Sequence, residues 1–212
     1  RDKGAALTAR THLVVSAGLL GVENLSATVG IQSVNNFGYT HYDSKANGQD
    51  QYEVIKDPNF AMLSEASLNY KTGKTALHAG RSQLNLDNQR FIGTVGWRQL
   101  ERSYDTVSAT DNSIENLKIF AAYLYGTQGV GAGDTAETNS VLLNVKYKVA
   151  DALTVTAYDY MLSSLSDTLG LSLTGKFDAG AKFTYRAEYA LQKDATMEYG
   201  SASTQKNVKA DA

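Results

Sequence analysis

The stretch KFTYRAEYALQ, residues 182–192, decides the fold class. Phe183, Tyr185, Ala187, Tyr189 and Leu191 alternate with Lys182, Thr184, Arg186, Glu188 and Gln192. An extended chain therefore puts the apolar side chains on one face and the charged and polar ones on the other, whereas a helix would scatter both sets around its axis. The same period recurs upstream. Leu7, Ala9, Thr11, Leu13, Val15, Ala17 and Leu19 oppose Thr8, Arg10, His12, Ser16 and Gly18, and Leu25, Ala27, Val29 and Ile31 oppose Ser26, Thr28, Gly30 and Gln32. Ala66, Leu68 and Tyr70 oppose Glu65, Ser67, Asn69 and Lys71, while Val141, Leu143, Val145, Tyr147 and Val149 oppose Asn144, Lys146 and Lys148. Leu169, Leu171, Leu173 and Phe177 likewise oppose Ser172, Thr174 and Lys176. No period of 3.6 is sustained, so the chain reads as all-β, with about ten strands of about nine to eleven residues. That length suits a tilted strand crossing a bilayer, where soluble strands run to about five or six residues.

Composition removes several alternatives. The chain has 212 residues, a net charge of −2 and no cysteine. Disulfide scaffolds, thiolate metal sites and cysteine nucleophiles are excluded, and the slight acidity leaves no basic stripe for nucleic acid. A mean hydropathy of −0.31 resembles that of a soluble protein, but a transmembrane barrel needs apolar residues only at alternate positions. The longest apolar run, residues 13–22, falls short of the roughly 20 residues of a spanning helix. The N-terminus begins Arg1-Asp2-Lys3, without methionine or the pattern of a signal peptide, so a leader has been removed or the chain is an internal piece.

The connections suggest an order. Short turns at residues 21–24, 72–74, 109–116, 149–152 and 178–181 alternate with generally longer loops at 35–59, 87–103, 126–137, 163–167 and 193–207. Strict alternation is the signature of an antiparallel up-and-down transmembrane β-barrel. The polar faces, mixed with glycine, suit a water-filled lumen, and 13 tyrosines against 1 tryptophan, with Tyr70, Tyr147, Tyr185 and Tyr189 on apolar faces, suit an interfacial girdle. Arg81, Asp105 and Asp159 break the scheme, because strict parity turns each toward lipid unless a bulge at Gly80 flips the face or the residue lies beyond the hydrocarbon.

The segment GRSQLNLDNQRFIGTVGWRQLERSYD, residues 80–105, resembles the bacterial outer-membrane porins of the alginate-export-like family. Their pattern GRQ, LDNQRF, G, GWRQ and [FY]D is matched at Gly80, Arg81, Leu86, Asp87, Asn88, Gln89, Arg90, Phe91, Ile92, Gly93, Gly96, Trp97, Arg98, Gln99, Tyr104 and Asp105, and departs at Ser82, where the family has Gln. TLGLSLTGKF, residues 168–177, and YRAEYALQ, residues 185–192, are also similar to it. The resemblance implies a closed barrel of about eighteen strands. On that reading residues 1–212 are one barrel domain, incomplete at both ends, ending in VKADA without a terminal strand or closing aromatic. Read from its residues alone, the segment carries Arg81, Arg90, Arg98, Asp87, Glu101 and Asp105 around one long loop. Opposite charges there can knit it into a plug or rim, anchored by Trp97 unless that ring is a girdle residue.

Chemistry on a solute finds little footing. Gly73-Lys74-Thr75 lacks the glycine of a phosphate-binding loop, since Leu68 holds that place, and the run from Gly129 to Gly133 has neither the helix nor the acidic residue of a dinucleotide site. Lys45 spoils the calcium-loop pattern of residues 43–53, and His12, His41 and His78 show no metal or triad spacing. The chain is therefore expected to be no enzyme, without metal or cofactor.

Turning the polar faces inward gives a wall with Arg10, His12, Lys71, Lys118, Lys146, Lys148, Lys176, Lys182 and Arg186 against Glu65 and Glu188. Arg81, Arg90, Arg98, Glu101 and Asp105 complete the expected lining and constriction. Such a lumen favours anions. The expectation is a passive outer-membrane diffusion channel for small hydrophilic, mildly anionic solutes in a Gram-negative bacterium, surrounded by outer-membrane lipid and lipopolysaccharide and compatible with a homotrimer. The alternatives are an exporter of an anionic polysaccharide, a structural barrel enclosing or anchoring a partner protein, and a soluble β-sandwich.

Overall fold

The computed structural model describes residues 1–19 and 21–196. The expected loop at residues 193–207 and the VKADA end lie largely outside them. Ten strands are present: β1 (Ala9–Gly18), β2 (Leu25–Asn35), β3 (Phe60–Thr72), β4 (Thr75–Ser82), β5 (Ser103–Asp111), β6 (Leu117–Gln128), β7 (Thr135–Ala150), β8 (Leu153–Leu162), β9 (Ser166–Asp178) and β10 (Lys182–Lys193). They form a single antiparallel sheet in sequence order, each strand beside its predecessor.

Register keeps the alternation in phase from strand to strand. Leu13 pairs with Ile31, Val15 with Val29, Leu68 with Ala79 and Leu171 with Tyr189, so apolar side chains form one continuous outer face. Those side chains are exposed on every strand, Leu13 at 63% and Tyr189 at 68% among them. A contiguous apolar surface of that extent is not stable against water and calls for an apolar surround. Phe177 and Phe183 stack at 5.2 Å beside Tyr185, whose hydroxyl donates to the Ala152 carbonyl, placing an aromatic group at the short-turn end.

The packed core lies on the opposite, inner face. Phe120, Ala122, Leu124, Leu142, Tyr158 and Tyr160 are buried there around Ile92 and Tyr104. A smaller group joins Val34, Met62 and Leu100. Ile92 and Leu100 belong to the connection between β4 and β5, residues 83–102, which folds back against the sheet.

Strand lengths and loops differ from the sequence expectation in two ways. β7 has 16 residues and β4 only 8. Long and short connections also do not alternate throughout. Residues 36–59 and 83–102 are long, but 129–134 and 163–165 are as tight as the turns at the other end, because pairing of β6 with β7 runs on through Gly126–Glu137 to Gln128–Thr135.

Gly80 has φ of 122°, and a Cβ at that position would run into the Ala66 carbonyl oxygen on β3. Gly80→Ala is expected to lower stability by about 1–3 kcal/mol. Ala79→Gly, one residue away on ordinary strand backbone, is expected to cost about 0.5–1 kcal/mol. Urea unfolding of the protein in lipid vesicles checks both.

Candidate functional site

The loop of residues 83–102 touches both ends of the sheet. The Glu101 carboxylate accepts from the Arg10 guanidinium of β1 at 2.8 Å and from the Gln83 amide at 2.7 Å, and its backbone N–H donates to Gln32 Oε1 of β2 at 2.9 Å. The Gln99 amide donates to Thr8 Oγ1 at 3.0 Å. At the other side, Asp87 Oδ1 pairs with Lys146 Nζ of β7 at 3.1 Å. Its Oδ2 accepts from the Asn144 amide at 2.7 Å and the Tyr160 hydroxyl of β8 at 3.2 Å. The Asn88 amide then reaches Glu188 of β10, at 3.2 Å, and the other oxygen of that carboxylate accepts from the Tyr158 hydroxyl at 2.8 Å. A single loop in contact with β1 and β10 shows that the sheet curves around it, with the polar face concave.

The loop is itself internally bonded. Thr94 N–H donates to Asn85 Oδ1, Leu86 N–H to the Ile92 carbonyl and Arg102 N–H to the Thr94 carbonyl. The buried Tyr104 hydroxyl donates to the Gly93 carbonyl at 2.7 Å and accepts from the Gly93 N–H at 3.2 Å. Phe91 lies against Tyr158 and Tyr160 with ring centroids 5.8 and 6.3 Å away, and Arg90 covers the Phe91 ring. Apolar packing, charge-assisted bonds and backbone turns thus fix one conformation.

Most of the expected lining residues do face the concave side. His12 lies 3.6 Å from Glu65 and shares the Arg10–Glu101 end. Lys118 is directly opposite Lys146 across β6 and β7, and Lys176, Lys182, Arg186 and Glu188 share the inner parity of β9 and β10. Lys148 also has inner parity but pairs with Asp151 in the next turn at 2.6 Å. Lys71 is exposed near the turn after β3. Arg90 and Arg98 lie on the loop and make no ion pair among the described residues.

Two expected lining residues belong elsewhere. Arg81 and Asp105 face each other across β4 and β5, in line with Ala79 and Val107, and join through two hydrogen bonds of 2.7 Å on the outer face. Gly80 bends the strand without turning Arg81 inward, because the register continues unshifted through Ala66–Arg81. Asp159 is also on the outer parity, opposite Leu143 and Leu169. Trp97 is 80% exposed and does not anchor the loop; Ile92 and Leu100 do that.

The residues missed by sequence reasoning are Gln32, Asn144, Tyr158 and Tyr160. The last two share parity with Thr154 and Thr156, so two large rings on an otherwise hydroxyl-lined face were the available signal for something packed against it.

The second long loop, residues 36–59, encloses the Asp43 carboxylate, which accepts from the Lys45 backbone N–H at 2.8 Å and its ammonium at 2.6 Å. These bonds hold the carboxyl below its ordinary pKa of 3.8. Stabilisation from a lowered pKa is present above the unfolded value and lost as pH falls through the folded one.

No protein-family model matches the chain, and no curated protein does. Solved structures do. Acinetobacter baumannii OccAB2 superposes with a TM-score of 0.71 at 16% identity, over 90% of this chain and 52% of its own. A. baumannii OccAB4 gives 0.71 at 15% identity, over 92% and 54%. Pseudomonas aeruginosa OpdK, solved with vanillate, gives 0.66 at 10% identity, over 90% and 52%. These are β-barrel porins, and this chain has their strand arrangement over about half their length.

Asp87→Ala combined with Glu101→Ala is expected to free the loop from both walls while leaving the strands paired. Losing these bonds is worth about 1–3 kcal/mol at each side, so limited proteolysis within residues 83–102 is expected to accelerate by about tenfold or more. For the second loop, amide exchange around Asp43 is expected to stay slow as pH falls to 3.8 and to rise only below it.

Proposed function

We propose that the chain forms much of the wall of a Gram-negative outer-membrane porin, a passive channel for small hydrophilic solutes that favours anions. The observation that carries the selectivity is an imbalance of partners. On the inner face, Glu101, Glu188 and Asp87 are all engaged by neighbours, whereas Lys118, Lys182 and Arg186 form no ion pair among the described residues. Free cations beside a water-filled path lower the entry barrier for anions, and the charged loop narrows that path.

The likeness to outer-membrane channels supports the membrane setting, and a neighbour solved with vanillate, a carboxylate, agrees in sign with the free cations. Asp87 and Asn88, in the segment that resembles alginate-export-like porins, act here as loop anchors. The structural neighbours are channels, which supports transport over chemistry on the solute. The reading is a conduit and not a catalyst.

Planar-bilayer recording of the membrane-inserted protein under a KCl gradient tests this. Stepwise openings with a reversal potential displaced toward the chloride potential are expected. The triple variant Lys118→Glu, Lys176→Glu, Arg186→Glu is expected to displace it toward potassium. Cation selectivity of the unaltered protein would contradict the proposal.

A further inference from the structure

Three side chains of β3 and β4 meet on the concave face in an arrangement that conduction does not require. His78 Nδ1 lies 2.9 Å from Oδ1 of Asn69, the residue opposite it on β3, and His78 Nε2 lies 3.1 Å from the Ser82 hydroxyl of its own strand. The Asn69 amide turns its Nδ2 to the hydroxyls of Thr28 at 3.5 Å and Ser67 at 3.4 Å, so the oxygen faces the ring. That oxygen can only accept, and in the neutral ring Nδ1 therefore carries the proton while Nε2 keeps its lone pair for the Ser82 hydroxyl. The Gly80 carbonyl, 3.3 Å from Nε2, is itself an acceptor and draws no proton from a nitrogen that has none. Ser82 is four positions beyond His78, and on a straight strand the two would stand about 13 Å apart. Gly80 lies between them with φ of 122°, and the bend brings the hydroxyl to the ring. All three residues are partly exposed.

We propose that Ser82 is an activated nucleophile and a site of covalent modification, taking an acyl group from a small activated ester that enters the concave face. Serine, neutral imidazole and an oriented acceptor behind the ring are the parts that such a transfer needs. Ser82 Oγ attacks the ester carbonyl carbon and gives its proton to His78 Nε2. The bond from that carbon to the leaving oxygen then breaks, and the same proton passes to the departing alcohol, so that an ester on Ser82 and a free alcohol result. Asn69 is a positioning residue, which fixes the tautomer and the tilt of the ring. As a neutral amide it does not offset the charge of an imidazolium, so the site suits a single transfer and not repeated turnover, and the chain stays a conduit. The site needs the concave face to be open to water and does not need the anion preference.

Treatment of the protein in lipid vesicles with p-nitrophenyl acetate as the probe, followed by peptide mass spectrometry to locate the acetyl groups, tests this. Ser16 is the internal reference, an exposed serine of the concave parity whose hydroxyl meets that of Thr28 at 2.8 Å. Ser82 of the unaltered protein is expected to be acetylated about a hundredfold faster than Ser16. His78→Gln, which keeps a hydrogen-bonding side chain without a base, is expected to bring Ser82 down to the Ser16 rate. Asn69→Ala is expected to slow Ser82 about tenfold or more, and Asn69→Asp to restore it, which a merely structural role of the amide would not produce. Equal rates at Ser82 and Ser16 in the unaltered protein overturn the proposal, and this comparison decides alone if a variant does not fold. Undiminished acetylation of Ser82 in folded His78→Gln overturns it as well. A cation-selective channel whose Ser82 is still labelled preferentially contradicts the anion preference and leaves the nucleophile standing.

Discussion

The carboxylate of Asp87 collects the Lys146 ammonium, the Asn144 amide and the Tyr160 hydroxyl at one point on the concave face, and the seating of the loop of residues 83–102 on that wall depends on it. A sheet that turns its continuous apolar face outward has no ordinary core between two layers to build on. What packing it has must form among residues of the polar parity, where each buried donor or acceptor left unpaired costs about 1–3 kcal/mol. The loop of residues 83–102 solves this by bringing its own carboxylates, Asp87 and Glu101, to the donors on the wall, and its own apolar side chains, Ile92 and Leu100, to Tyr158, Tyr160, Val34 and Met62.

That solution has an electrostatic consequence. Acidic groups near the loop are spent on holding it, and the cations of β6, β9 and β10 are left facing water. On the proposed reading the fold thereby separates two roles that the sequence mixes: fixing the loop and setting the charge of the concave face. Arg81 and Asp105 serve neither. Their mutual pairing lets two charges sit on the outer face at the long-loop ends of β4 and β5, where an isolated arginine near the bilayer midplane would cost about 2–4 kcal/mol.

The strand order and the facing of nearly every side chain were legible in the sequence, because a period of two leaves no freedom once the register is continuous. Arg81 illustrates the strength of that rule: parity placed it outside, and outside is where it lies, although its company of charged neighbours suggested the pore. What could not be read was the third dimension of the loop. No local pattern tells that Glu101 meets Arg10, 91 positions away, or that Asn88 meets Glu188, 100 positions away. Those contacts exist only after the sheet has curved. Loop lengths were misjudged for a related reason, since β6 and β7 go on pairing through Gly126 and Thr135, residues whose composition suggests a turn.

Because the chain contains no cysteine, single cysteines placed along β10 from Phe183 to Leu191 report which face of the sheet meets lipid and which meets water. With the protein in lipid vesicles, each is reacted with a water-soluble thiol reagent and compared with quenching of an attached fluorophore by lipid-borne quenchers. Strict alternation is expected: Thr184, Arg186 and Glu188 positions react with the aqueous reagent, and Phe183, Tyr185, Ala187, Tyr189 and Leu191 positions are quenched from the lipid. Equal aqueous reactivity on both faces would contradict it.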